Sequence, residues 1–335
     1  MTNSTAPRAV APADVQAARE LIAASTRVLV IAHVSPDGDA VGALLGLGLV
    51  LRAAGKEVAL ACDDPVPDTF RFLPAADGVV QTPSGTFDLA IAVDISDKAR
   101  MGAIGANLGR PPDLLIDHHL TNPGFARINL LEVEAASTCE LITRLLEPLG
   151  LPLDAPAATC LLTGILTDTI GFRTSNTTPL TLGAAQKLMT AGAPLSTLHR
   201  LVLSRRSFEA VRLWAEGLAR LRLEDGVVWA TLPLKSRRAA GYGGNGDADL
   251  IDILTTVRDA DVAIVFSERP DGTVKVSWRS APDINVAELA RRFGGGGHAP
   301  AAGAEVDGPL AEAEKRIVAA TKALIRRPAT PAAAR

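Results

Sequence analysis

With 335 residues, 47% of them hydrophobic, the chain has enough apolar material for about two ordinary domains. A formal charge of −3, from 34 basic and 37 acidic residues, excludes a broad basic surface for long nucleic acid and a polyacidic tail, so any nucleic-acid partner is short or held by a local patch. The three cysteines, Cys62, Cys139 and Cys160, lie far apart and form no CxxC. That argues against a disulfide framework or a thiolate zinc site and for reduced thiols in a cytoplasmic protein. No signal peptide and no membrane span are expected.

In chain order, residues 1–12 are Ala-, Pro- and Thr-rich, as is the tail from about Pro328, and both read as mobile. Residues 27–32 are a β-branched apolar run that reads as a buried strand, and 39–54 read as a helix. Between them the turn IAHVSPDGDAVG carries His33, Asp37 and Asp39, bent by Pro36 and Gly38. Alone, this stretch is equally well an Asp-capped turn or a set of ligands for a hard or borderline divalent cation.

Residues 57–62, 87–93 and 113–116 are further apolar strands, separated by helical or Pro-broken segments. Such near-continuous apolar strands predict a parallel sheet covered by helices on both faces. Asp94 and the triplet Asp117-His118-His119 fall immediately after two of these strands, as His33 does after the first. In a parallel sheet those strand ends share one edge, so the polar groups should converge on one crevice.

Ser137-Thr-Cys-Glu140 matches the S-x-x-E capping box and predicts a helix to about Leu149, with Glu140 in a capping role. A helix over 157–170 carries Asp168 in an apolar run, where a carboxylate needs a partner. Either Thr167 or Thr169 supplies it, or Asp168 reaches a polar centre. Residues 178–191 are another helix. From about 195 to 222 the chain turns charged and reads as a linker helix with solvated arginines.

Strands at 227–232, 262–266 and 274–278, with helices at 247–257 and 286–293, predict a second, smaller α/β domain, whose last two strands are joined by a turn at Pro270-Asp271-Gly272. Gly294 to Gly297 followed by His298, then Ala301-Ala-Gly303, reads as a loop whose N–H groups contact a phosphate or base. Arg279, at the end of the preceding strand, could add a charge-assisted contact. The boundaries expected are a catalytic domain at 13–195, a linker helix at 196–222 and a substrate domain at 223–328.

His33, Asp37, Asp39, Asp94, His118 and Asp168 suffice for two divalent ions if one carboxylate bridges. Such a centre suits phosphoester hydrolysis, with His119 left to contact the phosphate or protonate the leaving group.

H-x-x-x-D-x-D at His33, Asp37 and Asp39, the strand-end Asp94, Asp117-His118-His119, T-D-T at Asp168 and the GGGGH-x-x-A-A-G loop together resemble the DHH phosphoesterase superfamily with its C-terminal associated domain, and within it the nanoRNase/pAp phosphatase subfamily. The resemblance implies two Mn²⁺ ions (Mg²⁺ or Co²⁺ in their place), one on His33, Asp37 and Asp94, the other on Asp39, Asp94, His118 and Asp168. It implies that Asp117 orients the histidines and that His119 faces the scissile phosphate. It further implies that Arg279, Gly295, Gly296, Gly297 and His298 grip the far end of the substrate across an interdomain cleft.

The expected activity is release of nucleoside monophosphates from short 5′-phosphorylated RNA or DNA, together with dephosphorylation of 3′-phosphoadenosine 5′-phosphate, by a homodimer. The rivals on the same motifs are a cyclic- or linear-dinucleotide phosphodiesterase, a RecJ-like single-strand exonuclease and a family II inorganic pyrophosphatase. A nucleotide-binding regulator would lack a metal ligand, and none is missing.

Overall fold

The computed structural model describes residues 10–244 and 246–325. The readings of mobile ends fall outside these residues at 1–9 and 326–335, while Pro12 already opens the first helix. The chain divides into two compact units, one up to Arg205 and one from Arg206 on.

The first unit runs α1 Pro12–Ala24, β1 Arg27–Ile31, α2 Gly38–Ala53, β2 Glu57–Ala61, β3 Val79–Val80, β4 Leu89–Val93, α3 Gly102–Asn107, β5 Leu114–Asp117, β6 Ile128–Leu131, α4 Thr138–Leu145, α5 Ala155–Asp168, α6 Pro179–Thr190 and α7 Leu195–His199. Its six strands are all parallel, in the order β3-β2-β1-β4-β5-β6. Alternation along β1 sends Val28 and Val30 into the larger core with α2, α4 and α5, and Leu29 and Ile31 into the opposite one with Met101 and Ile104. Both faces are therefore covered, which is why these strands read as unbroken apolar runs. The order reverses between β1 and β4, and the crevice beyond their carboxyl ends is where open α/β sheets hold ligands. Helices α2 and α5 approach so closely there that a Cβ on Gly42 would lie 2.7 Å from the Cys160 carbonyl oxygen.

The second unit runs α8 Phe208–Leu218, β7 Arg222–Glu224, β8 Val227–Leu232, α9 Leu234–Ala240, α10 Leu250–Leu254, β9 Val262–Glu268, β10 Thr273–Ser280, α11 Val286–Arg292, β11 Gly296–His298, β12 Ala301–Asp307 and α12 Leu310–Ile325. Its sheet is mixed, in the order β11-β12-β10-β9-β8-β7, with β8 and β9 parallel and the other pairs antiparallel.

Two expectations need correction. The stretch 196–222 is no single helix: α7 passes into a π-helical turn at Arg200–Ser204, and α8 starts afresh with Ser207 as its N-cap. The segment Gly296–His298, expected as a ligand-contacting loop, is an edge strand paired with Ala301–Gly303. Gly295 and Gly297 are needed for that pairing, since a Cβ at Gly295 would collide with the Gly303 carbonyl and one at Gly297 would lie 2.6 Å from Ala302 Cα.

Candidate metal centre

Three strand ends and two helices deliver the polar groups. His33 and Asp37 lie in the β1–α2 turn, Asp39 in the first turn of α2, Asp94 directly after β4, Asp117 at the end of β5 with His118 and His119 following, and Asp168 at the last position of α5. Asp37, not Asp39, caps α2: its Oδ1 accepts the Asp39 and Ala40 amides at 3.1 and 3.0 Å. Asp94 sits in the left-handed region at φ 58°, its amide donating to the Ile116 carbonyl at 3.0 Å. Asp168 accepts from neither threonine. Thr167 and Thr169 send their hydroxyls back to helix carbonyls, at Gly164 (3.0 Å) and Ile165 (2.6 Å). The carboxylate is left for the centre.

The groups meet. His33 Nε2 is 3.6 Å from Asp94 Oδ2 and 3.8 Å from Asp37 Oδ2. His118 Nε2 is 3.3 Å from Asp168 Oδ2 and 3.9 Å from both Asp39 Oδ2 and Asp94 Oδ1. His33, Asp37 and Asp94 form one set of donors close enough for a cation, Asp39, His118 and Asp168 a second, and Asp94, His118 and His119 a third. Asp94 touches both histidine groups, with a different oxygen toward each.

Electrostatics test whether a cation fits. Burial, then the charges of Asp94 and Asp168, push the Asp39 carboxyl well above its ordinary value. Burial, then Asp94 and Asp37, push Asp168 up to about 8. For Asp94, burial raises the value but is outweighed by the hydrogen bond to His33 and the charges of His118, His119 and His33, so it ends lowered. Carboxylates this crowded carry a repulsion that oxygen-loving divalent cations relieve, so the donor set fits divalent metal.

The supporting contacts set tautomers. His118 Nδ1 lies 3.2 Å from the Ala135 carbonyl, which leaves Nε2 for the centre. His33 Nδ1 is 2.8 Å from its neighbour's carbonyl on Val34 and also 2.8 Å from Arg100 Nη2. A guanidinium only donates, so these two contacts exclude each other: with Nε2 presented to a cation, the Nδ1 proton goes to Val34 and Arg100 gives up its contact. His119 Nδ1 is 2.7 Å from Asp117 Oδ1, and that bond, against the opposing effect of burial, raises His119 to about 9.

Sequence reasoning missed several members. Asn122 donates from Nδ2 to Asp117 Oδ2 at 2.5 Å and to the Ile95 carbonyl at 2.8 Å, fixing Asp117 in turn. Arg100 carried no signal beyond its place seven residues into the segment after β4. The Ser137 hydroxyl accepts the Glu140 amide at 3.0 Å as expected, but Glu140 accepts from Ala136 N and Thr181 Oγ1, one residue off a reciprocal capping box. The first α4 amides, of Thr138 and Cys139, instead hold Asp39 Oδ2 and Oδ1 at 2.6 and 3.0 Å. A helix start legible from its cap therefore also serves a carboxylate.

In the second unit, Arg279 and His298 both stand opposite Ala301, on the two strands that flank β12. Directly paired residues share a sheet face, so the two basic side chains rise on either side of a small residue, about 10 Å apart across two strand spacings. Core-facing Trp278 and Val276 alternate with Arg279 and Ser277 on β10, which puts Arg279 on the face opposite that core. Gly296 has open space around the position of a Cβ.

Known proteins share this two-unit architecture. Residues 27–165 match the model of the DHH family, N-terminal domain, and residues 240–327 that of the DHHA1 domain. The chain is 35% identical over 304 residues, 88% of its own length and 89% of the other's, to the bifunctional oligoribonuclease and PAP phosphatase NrnA of Thermus thermophilus. It is 31% identical over 327 residues to the cyclic-di-AMP phosphodiesterase GdpP of Geobacillus thermodenitrificans, of which it spans only 48%. The crystal structure of an exopolyphosphatase-related protein from Bacteroides fragilis shares the fold, with a TM-score of 0.83 at 23% identity, covering 98% of this chain and 100% of that one. The chain belongs to the DHH family, with a DHH N-terminal domain followed by a DHHA1 domain.

Proposed function

We propose that this protein is a metal-dependent phosphoesterase that releases nucleoside monophosphates from short 5′-phosphorylated oligonucleotides and removes phosphate from 3′-phosphoadenosine 5′-phosphate. The observation that carries the reading is the convergence of His33, Asp37, Asp39, Asp94, His118 and Asp168 at the topological switch of the parallel sheet. The near full-length match to the Thermus relative, whose name carries both activities, supports it.

In this reading His33, Asp37 and Asp94 would hold one ion, and Asp39, Asp94, His118 and Asp168 the other. Mn²⁺ is preferred, because imidazole and carboxylate together suit it better than they suit Mg²⁺. Bound divalent cations supply charge neutralisation at phosphoryl oxygens and acidify water. The chain's own groups do the rest. Asn122 fixes Asp117, Asp117 accepts a hydrogen bond from the Nδ1–H of His119, and His119 keeps Nε2 for the substrate. From there it binds a phosphate oxygen or hands a proton to the leaving oxygen. Arg279, His298 and the backbone of Gly296 and Gly297 bind a phosphate or base, whereas Gly295, whose amide is given to the Ala290 carbonyl at 2.9 Å, shapes the run without donating. The shared sheet face of Arg279 and His298, both opposite Ala301, supports that role.

A cytoplasmic setting is supported by three free, buried cysteines. No helix among the described residues is long and apolar enough to cross a membrane. Homodimerisation is supported by Phe208, Val211 and Leu218, exposed apolar residues at helical spacing on α8. Light scattering at several concentrations tests it.

The deciding assay compares initial rates on pApA, 3′-phosphoadenosine 5′-phosphate, cyclic di-AMP and a long single strand in Mn²⁺, with Asp94→Ala as control. Fast AMP release from pApA, a slow long strand and a dead variant support the proposal. Preference for cyclic di-AMP would move the protein to the second reading, which the Geobacillus relative favours.

A further inference from the structure

Thr138 is the first residue of α4 and is fully buried. Its backbone amide donates to Asp39 Oδ2 at 2.6 Å, and its hydroxyl donates to Asp94 Oδ1 at 2.9 Å. One residue therefore ties together two carboxylates that arrive on different elements, α2 and the exit of β4. We propose that Thr138 is a positioning residue of the metal centre, its hydroxyl fixing the rotation of Asp94 so that this carboxylate offers Oδ2 to the His33 group and Oδ1 to the His118 group.

The hydroxyl has no other duty. The N-cap of α4 is Ser137, whose Oγ already accepts the Glu140 amide. Other helical threonines, including Thr143 and Thr163, turn their hydroxyls back to the carbonyl four residues earlier, as buried threonines do by default. Thr138 instead reaches a residue 44 positions away.

Asp94 needs such a partner. Its backbone is fixed by the bond to Ile116 and its left-handed φ, so the remaining freedom is in the side chain. The carboxylate torsion of an aspartate is broad and two-fold rather than sharply staggered. A quarter turn would take both oxygens off the line joining the two histidine groups. The hydroxyl at Oδ1 opposes that turn, and the Thr138 amide fixes Asp39 relative to the same anchor.

The inference rests on reading the cluster as a metal centre. The test is titration calorimetry of the whole protein with Mn²⁺, alongside electron paramagnetic resonance of the loaded protein, for wild type, Thr138→Val and Thr138→Ser. Valine keeps the shape and removes the hydroxyl. The expected result is Mn²⁺ affinity in Thr138→Val lower by about 10–100-fold, the range seen when a ligand's supporting hydrogen bond is removed. Loss of the spin-coupled two-ion signal, a fall in kcat with KM for pApA little changed, and recovery to within a few-fold in Thr138→Ser are expected with it. Far-UV circular dichroism in chelator checks folding, and if valine does not fold, Thr138→Ala is read the same way. Wild-type affinity and an intact coupled signal in the folded variant would overturn the role of Thr138 while leaving the metal centre standing. Wild type that binds no Mn²⁺ would overturn both.

Discussion

Asp117 Oδ1 lies 2.7 Å from His119 Nδ1, and the other Asp117 oxygen is held by Asn122. Asp117 is fully buried at the end of β5, so it is a fixed acceptor that sets the tautomer and direction of the half-exposed ring. In Asp117→Asn the amide keeps the shape and loses the charge. We expect kcat on pApA to fall about 10²–10⁴-fold, the usual worth of a positioned acid or base, while Mn²⁺ stoichiometry stays at the wild-type value. Paired kinetics and metal analysis check this. Undiminished kcat would remove His119 from the chemistry.

Gly164 is where α5 passes the centre. A Cβ built there would lie 2.6 Å from Asp39 Oδ1 and would collide with Cys139 Sγ. Both neighbours are buried in packed structure, so neither gives way cheaply. Gly164→Ala is expected to lose about 1–3 kcal/mol in urea unfolding, the range for overpacking a core, and to weaken Mn²⁺ binding through the displaced Asp39. A stable variant with normal metal affinity would show that α5 can shift without cost.

The metal-type residues were legible because the physics that buries a parallel strand also marks its end: an unbroken run such as Leu89–Val93 stops at the first charge, Asp94. The two-domain plan followed from the same alternation of runs. What escaped has a common cause. Thr138, Asn122 and Arg100 act on residues between 5 and 67 positions away, and nothing local distinguishes them from ordinary capping or surface residues. The β12 strand Ala301–Asp307 was hidden because AAGAEVD has one β-branched residue, although its burial alternates in strand fashion. The break at Arg205–Ser207 was hidden because charged helical composition continues through it, and only the Ser207 hydroxyl bonding the Ala210 amide marks the new start.

Asp247 offers a test of the second unit that is separate from the metal. Its Oδ2 is buried without a hydrogen-bond partner among the described residues. Burial, only partly offset by backbone amides, raises its carboxyl above the ordinary 3.8. A raised carboxyl binds its proton more tightly in the folded than in the unfolded chain. Its contribution to stability is therefore greatest below the ordinary value, falls as pH rises through the window up to the raised value, and stays lost above it. Asp247→Asn keeps an acceptor for the amides and removes the charge. It should raise neutral-pH stability by about 1 kcal/mol and flatten that acid-side slope. Urea titrations across the window check both effects, and a variant less stable at neutral pH would mean that the charge is favourably paired.

The centre itself should trade stability for binding. Asp168 is pushed up to about 8 by burial and by its like-charged neighbours Asp94 and Asp37, so without metal its ionised form costs folding free energy at neutral pH. Asp168→Asn removes that cost together with a ligand 3.3 Å from His118 Nε2. In chelator the variant should melt at or above the wild-type temperature. In Mn²⁺ the order should reverse, because wild type gains about 2.7 kcal/mol for each site filled at a hundredfold excess over Kd, whereas the variant, short of one donor, gains less. Calorimetric melts of both proteins in chelator and in Mn²⁺ give four temperatures whose crossing is the signature. Parallel shifts in the two proteins would place the stabilising ions away from Asp168 and dissociate it from the centre.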